Sequence, residues 1–253
     1  MNKNPQITVL YYHEVVPNGQ GHTYQKIGVD KFEAQLRCLK SKGFECVDFD
    51  ELKSGKCPKK PLVITFDDGF KSVYDYAVPL LKKYGMKAVS FLPCKYIDEG
   101  HPYYMSWDNI KELVNENIIS VGAHTYSHID IRRPTSEELI NEIKKCNDSI
   151  YGNLGIKPSS ICFPYGTFNS SSVKTIRQCG DYTYLVASFF GKTRFNKLKR
   201  KLVQRIGISD VDSMEMFERK ISGKENYRGI VHLLRILSSN IKKKYVIEYR
   251  IDF

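Results

Sequence analysis

Three polar clusters in the sequence combine residue types that can hold a metal ion and move a proton. They are Thr65-Phe66-Asp67-Asp68-Gly69, His124-Thr125-Tyr126-Ser127-His128 and Phe163-Pro164-Tyr165-Gly166. Two adjacent carboxylates after an apolar stretch repel each other, and a divalent cation removes this conflict. His124 and His128 are four residues apart, which on a helical turn places both imidazoles on one face. One Asp with two His therefore predicts a three-ligand metal site with open positions for water and substrate.

Each cluster also has a simpler interpretation. A His-x-x-x-His spacing alone is common, and Asp-Asp-Gly is more often a turn in which Asp caps and Gly takes a positive φ. The metal site is favoured because both clusters follow predicted strands.

Apolar strand-like runs alternate with helical patterns along the chain, which is typical of an α/β domain with a mainly parallel sheet. The predicted strands cover residues 7–12, 61–66, 88–92, 118–123, 160–163 and 183–187. The predicted helices cover residues 30–42, 107–115, 135–150 and 170–179, with a further helix that kinks or restarts at Pro79. Capping boxes are predicted at Asp30 with Glu33 and at Thr135 with Glu138. Since strand-to-helix loops converge at the carboxyl ends of the strands, the polar clusters are expected to meet there.

The composition predicts a folded chain. Its 253 residues are 42% hydrophobic and 12% aromatic, enough for one large domain or two small ones, which excludes disorder for most of it. No apolar run approaches the roughly 18 residues that a membrane-spanning helix needs. Seven cysteines without a Cys-x-x-Cys pair favour reduced thiols over a disulfide framework or a zinc ribbon. With no cleavage site after residues 7–12, these features predict a cytoplasmic protein.

The clusters, in this order, resemble the polysaccharide deacetylases of carbohydrate esterase family four, the nodulation-protein type of deacetylase domain. Further agreement comes from Leu10-Tyr-Tyr-His-Glu14, Phe32 with Leu36 and Leu39, Gly43-Phe44 and Met105-Ser-Trp-Asp-Asn-Ile110. The likeness extends from about residue 7 to residue 188. It implies a distorted (β/α) barrel as the fold. We expect a catalytic domain over 1–191 and a basic C-terminal extension over 192–253 that completes the barrel or packs on it.

The resemblance also implies a role for each site residue. Asp68, His124 and His128 would bind the metal, most plausibly Zn²⁺ with Co²⁺, Ni²⁺ or Mn²⁺ as alternatives, and Asp67 would be the general base. The metal would polarise an acetamide carbonyl, and the backbone N–H of Tyr165 would help to hold the oxyanion. The expected substrate contacts are Phe163, Pro164, Tyr165 and Trp107.

Two motif positions depart from this family pattern. Cys162 stands where many members carry an Arg that orients the catalytic Asp. Arg205, beside apolar Ile206 and Ile208, is a candidate replacement because a guanidinium can pair bidentately with Asp67, and a surface Arg at a strand edge is the alternative. A Leu-x-His motif with a general acid has no convincing match. His232 is the nearest candidate, but the apolar pattern after it favours a residue on a helix face.

The positive charge of the chain is concentrated near its end. The net charge is +11, and residues 192–253 contain sixteen Lys and Arg against seven Asp and Glu. A solvated face is one interpretation, and contact with an anionic membrane or a phosphorylated substrate is the other. Candidate membrane contacts are Lys197, Lys199, Arg200, Lys201 and Lys242 to Lys244.

These observations predict a metal-dependent hydrolase that removes an N-acetyl or other small acyl group from an amino sugar. The substrate would be an N-acetylated sugar, oligosaccharide, glycan or lipid-linked precursor, met at the inner face of the membrane. The first alternative is a catalytically impaired deacetylase-like protein that only binds carbohydrate. The second is a basic nucleic-acid or membrane-surface protein. No nucleic-acid partner is expected, because no clear binding motif or aromatic-interleaved basic run is present.

Overall fold

The structure is a computed structural model that describes residues 4–20, 23–229 and 231. Its strands are β1 (Gln6–Tyr12), β2 (Glu14–Val16), β3 (Lys26–Gly28), β4 (Glu45–Cys46), β5 (Pro61–Phe66), β6 (Ala88–Leu92), β7 (Ile119–Ala123), β8 (Ser160–Cys162), β9 (Tyr184–Phe190), β10 (Thr193–Arg194) and β11 (Val203–Gly207). Its helices are α1 (Val29–Ser41), α2 (Phe49–Lys53), α3 (Val78–Tyr84), α4 (Cys94–Asp98), α5 (Trp107–Asn115), α6 (Ser136–Leu154), α7 (Ser170–Cys179) and α8 (Met214–Ser222).

Seven of these strands close into a parallel barrel. The order around the barrel is β1, β11, β9, β8, β7, β6 and β5, and β5 pairs back with β1. In this closing pair Tyr12 lies opposite Phe66, so both strands end at the same level. β4 and β10 extend the sheet at β5 and β1, and β2 pairs with β3 in a separate sheet. With helices around the strands, the predicted (β/α) barrel is confirmed.

Side chains alternate between the barrel interior and the surrounding helices, as expected for a period of two. Val63 belongs to the interior cluster, while Ile64 packs in the cluster that includes helix residues. All six residues of β5 are buried because both faces of this strand are covered. Phe49 of α2 lies in the interior cluster, 5.2 Å from the ring of Tyr184, the first residue of β9. This helix therefore closes the amino end of the barrel.

Most element boundaries follow from local signals in the sequence. β5, β6, α5 and α7 have the predicted bounds. The predicted capping box of Thr135 and Glu138 begins α6, and a π-helical turn over Val73–Ala77 precedes α3, whose first turn contains Pro79. The restart expected at Pro79 is thus present.

The capping box predicted at Asp30 and Glu33 is wrong. α1 begins after Gly28, and no side chain caps it. The backbone N–H of Asp30 donates instead to Asn18 Oδ1 at 3.1 Å, and Glu33 accepts from Lys83 at 2.6 Å. Tertiary contacts have taken both groups that a local capping box would have used.

The segment after residue 191 contributes to the barrel. β11 lies between β1 and β9, and β10 pairs with the first residues of β1. The domain boundary at 191 stays a prediction. His232 and Lys242 to Lys244 lie outside the residues that the structure describes. Within the described ranges, the helices lack the combination of length and apolar character that a bilayer crossing requires.

Candidate active site

The three predicted metal ligands meet at the carboxyl end of the barrel. Asp68 follows β5, and His124 and His128 follow β7. Asp68 Oδ1 lies 3.4 Å from His124 Nε2 and 3.1 Å from His128 Nε2. Asp68 and His124 are buried, whereas His128 is partly exposed. One face of the group is therefore open to a substrate.

The loop that carries the two histidines is not helical, so the helical turn expected for it is wrong. Thr125 and His128 have positive φ angles of 59° and 56°, a region that residues other than Gly rarely adopt. Contacts within the fold compensate for this strain. Thr125 Oγ1 accepts from the N–H of Ile129 at 3.2 Å, and the Glu142 carboxylate of α6 accepts from both the N–H and the hydroxyl of Ser127, each at 2.8 Å.

A cation fits between these three side chains. Asp68 Oδ1 is buried and accepts no hydrogen bond in the structure. His124 Nδ1 lies 2.8 Å from the Cys162 carbonyl, which can only accept, so Nδ1 carries the proton and Nε2 directs its lone pair at Asp68. The ligand atoms of Asp68, His124 and His128 lie within 4.8 Å of one another. A carboxylate and two neutral imidazoles are ligands that Zn²⁺ accepts.

The electrostatics of the triad also favour a positive charge. Burial alone would raise the pKa of Asp68, but the two imidazoles hold it well below its usual value, so the carboxylate is ionised. Burial alone would lower the pKa of His124, but Cys162 and Asp68 raise it well above its usual value. His124 Nε2 thus attracts a positive charge, which a proton or a metal ion can supply.

Asp67 is held from behind by Arg205, as the sequence predicted for this pair. Arg205 Nη1 and Nη2 donate to Asp67 Oδ1 and Oδ2 at 2.6 and 2.8 Å, in a bidentate arrangement. Burial alone would raise the pKa of Asp67, but the Arg205 guanidinium outweighs it and the pKa lies below its ordinary value. Asp67 is therefore an ionised carboxylate with a fixed orientation. Its catalytic role stays a prediction.

The guanidinium of Arg205 lies in a polar layer inside the barrel. The side chain is fully buried, and its Cζ lies 4.4 Å from the centre of the Tyr11 ring. Its Nη1 also donates to Thr65 Oγ1 at 3.1 Å, and its Nη2 donates to Ser188 Oγ at 2.7 Å. The alternative of a surface Arg at a strand edge is therefore wrong.

Cys162 shows why a small side chain suits its position. Its Sγ lies 3.0 Å from Arg205 Nη2, so an Arg at residue 162 would occupy the space of the Arg205 guanidinium. Burial raises the pKa of the Cys162 thiol, with the opposing charges of Arg205 and Asp67 as smaller effects. The thiol is neutral, and the guanidinium beside it disfavours a second metal ion among Asp67, His124 and Cys162.

The third cluster forms a 3₁₀ turn over Pro164–Gly166 beside the triad. Tyr165 has a φ of 58° and is 56% exposed, with its ring centre 4.7 Å from that of His128. An added Cβ on Gly166 would lie 2.5 Å from Ser188 Cβ, so only glycine fits there. Phe163 and Pro164 are buried under the turn. Their predicted contact with substrate stays untested, and Tyr165 is the member of the cluster that a ligand can reach.

Trp107, the remaining predicted substrate contact, lies at the start of α5. Its indole N–H donates to Asp98 Oδ1 at 2.9 Å, and its ring packs against the outer core. These contacts join α5 to α4, and they do not bring Trp107 to the triad. Its role in substrate binding stays a prediction.

Comparison with known proteins agrees with this geometry. The model of the family described as polysaccharide deacetylase matches residues 54–184. The chain belongs to the polysaccharide deacetylase family. YxkH of Bacillus subtilis, which carries a polysaccharide deacetylase name, is 30% identical over 186 residues, covering 70% of this chain and 63% of YxkH. A Staphylococcus aureus poly-beta-1,6-N-acetyl-D-glucosamine N-deacetylase (strain MRSA252) is 25% identical over 169 residues, covering 61% of this chain and 58% of that enzyme.

The chain thus spans about three fifths of the length of these curated relatives. Among solved structures, the Streptococcus pyogenes deacetylase PplD in complex with acetate has the same fold. Its TM-score is 0.76 at 23% identity, and the match covers 86% of this chain and 98% of PplD.

His13 is a residue of this deacetylase site that the sequence reasoning missed. It directly follows β1, and the N–H of Asp67 donates to the carbonyl of the preceding Tyr12 at 3.0 Å. Its charge contributes to the lowered pKa of Asp67, and its ring lies 5.9 Å from that of Tyr11. Its position after a barrel strand was a signal that could have identified it.

A pair of tyrosines beside the triad was also missed. The rings of Tyr96 and Tyr104 are stacked, with centres 4.9 Å apart and planes 12° from parallel. Burial and the nearby charge of Asp68 raise the pKa of Tyr104 to about 12. These residues lie in loops where strand and helix patterns are absent, so their proximity to Asp68 depends on the fold.

Proposed function

We propose that this chain hydrolyses the N-acetyl group of an amino sugar in a glycan or glycolipid precursor. The observation that carries this proposal is the arrangement of Asp67 beside the Asp68, His124 and His128 triad, with its carboxylate held by Arg205. The group combines a site for a divalent ion with an ionised base that cannot turn away. Membership of the polysaccharide deacetylase family supports the same reaction class.

The residues of the chain divide the work of amide hydrolysis. A divalent ion, most plausibly Zn²⁺, held by the triad would supply a Lewis acid that polarises the acetamide carbonyl and acidifies a water. Asp67 would accept the proton of the attacking water, and Arg205 would hold the carboxylate in the orientation for this transfer. The backbone N–H of Tyr165 would donate to the developing oxyanion.

His13 is the proposed proton donor to the departing amine. It lies at the same end of the barrel as Asp67 and is partly exposed. An imidazole changes charge near neutral pH, so it suits a group that must donate a proton under these conditions. This assignment fills the place of the general acid for which the sequence offered only His232.

The open side of the triad offers aromatic surface to a sugar ring. The Tyr165 ring lies on one side next to His128, and the stacked pair of Tyr104 and Tyr96 lies near Asp68. Such rings supply apolar contact area with little loss of side-chain entropy. The Staphylococcus aureus relative is named for poly-beta-1,6-N-acetyl-D-glucosamine, so a β-1,6-linked N-acetylglucosamine oligosaccharide is the first substrate to assay.

The rival function, a carbohydrate-binding protein without activity, rested on the missing Arg and the missing acid. Arg205 supplies a guanidinium to Asp67, and His13 supplies an imidazole near it. The enzyme is therefore the better supported of the two functions.

A cytoplasmic location with a lipid-linked substrate at the inner membrane face is a further proposal, motivated by the basic C-terminal quarter. Lys197 belongs to the turn after β10, which pairs with the start of β1, so the basic run lies at the barrel end opposite the triad. A membrane bound by this run would face away from the active site. Co-sedimentation with anionic liposomes, compared between the wild type and a variant neutralised over 197–201, tests the contact.

The activity is tested by measuring acetate released from the β-1,6-linked oligosaccharide and from chitin-derived and peptidoglycan-derived saccharides. We expect release with added Zn²⁺, none after chelation, and a loss of about 10²–10⁴-fold in Asp67→Asn. Release that survives both chelation and Asp67→Asn would refute the proposed site. Sugar binding by the metal-loaded wild type without any acetate release would support the binding protein.

A further inference from the structure

A cavity of about 1070 Å³ lies between α1 and α8, over the amino-terminal ends of β1 and β5. Gln6 and Thr8 line it from β1, on the face of the strand that points away from the barrel interior. The triad lies at the opposite ends of the same strands, about 20 Å away at roughly 3.3 Å per strand residue. The proposed deacetylase reaction makes no use of this cavity.

The lining of the cavity is strongly basic. Seven Lys and Arg side chains line it, against two Glu. Lys42 pairs with Glu218 at 3.0 Å, and Arg219 pairs with Glu225 at 2.6 Å. The other five cations form no ion pair with a carboxylate in the part of the chain that the structure describes: Lys59, Lys60, Lys192, Arg194 and Lys224.

Two of these amines are held in place by backbone carbonyls. Lys60 Nζ donates to the carbonyl of Lys42 at 2.8 Å, and Lys192 Nζ donates to the carbonyl of Ile221. Burial lowers the pKa of Lys192 to about 8, which shows an ammonium group removed from water without a compensating anion. An anion in the cavity would stabilise the charged form of this lysine.

We propose that this cavity binds a ligand that carries clustered phosphate groups, such as a diphosphate. A single carboxylate would neutralise only one of the five unpaired cations, whereas a diphosphate carries several charges within a few ångströms. Lysine ammonium groups bind phosphate oxygens as point charges with several donors each. The cavity also exceeds the size of inorganic phosphate, so it leaves room for the group attached to the diphosphate.

Inorganic pyrophosphate is the probe for this site, titrated calorimetrically into the full chain at low ionic strength. Lys59→Gln/Lys60→Gln removes two unpaired charges from the exposed loop before β5, where the fold does not depend on them. Lys197→Gln/Lys199→Gln removes the same charge from exposed positions outside the cavity lining. We expect the first variant to bind at least about tenfold more weakly and the second to bind as the wild type does. Acetate release should be the same in all three proteins.

Lys192→Gln provides a second measurement inside the cavity, and it should also weaken binding without changing the metal content. No heat of binding for the wild type would overturn the proposal. An equal loss in the cavity variant and in the Lys197→Gln/Lys199→Gln control would also overturn it, because the attraction would then reflect net charge alone.

Vesicles distinguish two sources of the phosphate once pyrophosphate binding is established. Sedimentation with phosphatidylglycerol but not phosphatidylcholine vesicles, lost in Lys59→Gln/Lys60→Gln and retained in the control, would assign the phosphate to a lipid headgroup. Absence of sedimentation with either vesicle would assign it to a soluble ligand. Because acetate release is measured separately, failure of this site leaves the deacetylase proposal intact.

Discussion

Replacing Arg205 with methionine gives the most direct test of how the barrel interior supports the base. The wild-type guanidinium makes two charge-assisted hydrogen bonds to Asp67 and is itself fully buried. In Arg205→Met the Asp67 carboxylate would remain in the barrel without its counterion. Breaking a buried ion pair by removing one partner costs about 3–5 kcal/mol of unfolding free energy. Arg205→Lys should cost less, because it retains a charge but loses the bidentate geometry.

The pH dependence separates this cause from simple loss of packing. In the wild type the pKa of Asp67 is lowered, so its contribution to stability is present above the pKa of the unfolded chain, about 3.9, and is lost as pH falls through the lower folded value. In Arg205→Met burial dominates and raises this pKa. The variant carboxyl should then take up a proton at higher pH, so its stability deficit should be largest near pH 7 and shrink toward pH 4.

Urea unfolding of chelator-treated protein at several pH values measures this deficit, and the pH profile of acetate release measures the base. The acid limb of the activity profile should move to higher pH in Arg205→Met. Lys71→Gln, which breaks an exposed pair with Asp75, is the matched control and should change the unfolding free energy very little. A deficit in Arg205→Met that is the same at pH 4 and pH 7 would refute the argument from an unpaired buried carboxylate.

Three further predictions concern the remaining site residues. Asp68→Asn should lose the metal, while Asp67→Asn should keep it with turnover reduced by about 10²–10⁴-fold, as metal analysis beside activity would show; equal metal loss in both would mean that the two roles are wrongly divided. Glu142→Gln should weaken metal affinity by about 10–100-fold, because the carboxylate anchors the loop of the two histidines, and a chelator competition that finds wild-type affinity would contradict this. His13→Gln should lower turnover by about 10²-fold with the metal retained, and unchanged turnover would remove His13 as the proton donor.

The sequence predicted those parts of the fold whose signals are local. β5 is a continuous apolar run that ends at two carboxylates, and α5 begins at Ser106, whose hydroxyl accepts from the N–H of Asn109 as a capping residue does. In both cases the residues that define the element are within a few positions of its ends. The pairing order of the barrel also follows from such elements, because parallel strands joined by helices have few alternatives.

The sequence could not predict features that depend on distant residues. The loop from His124 to His128 has no glycine to mark its positive φ angles, and its support comes from Glu142, fourteen residues beyond His128 on another element. The proximity of Tyr104 to Asp68 depends equally on loops that meet only in the folded barrel. A spacing of four residues was therefore read as a helical turn when the ligands were brought together by the tertiary structure.

The exchange of the usual Arg for Cys162 shows how a barrel can conserve a contact while changing the strand that supplies it. Residues 67, 162 and 205 follow or belong to three different strands, yet their side chains meet at one point because the interior positions of all three converge at the same level. The guanidinium needs only to reach Asp67 from within this layer, and a thiol at residue 162 leaves it the required space. A missing motif residue in this fold is thus evidence of lost function only after the interior positions of the other strands have been examined.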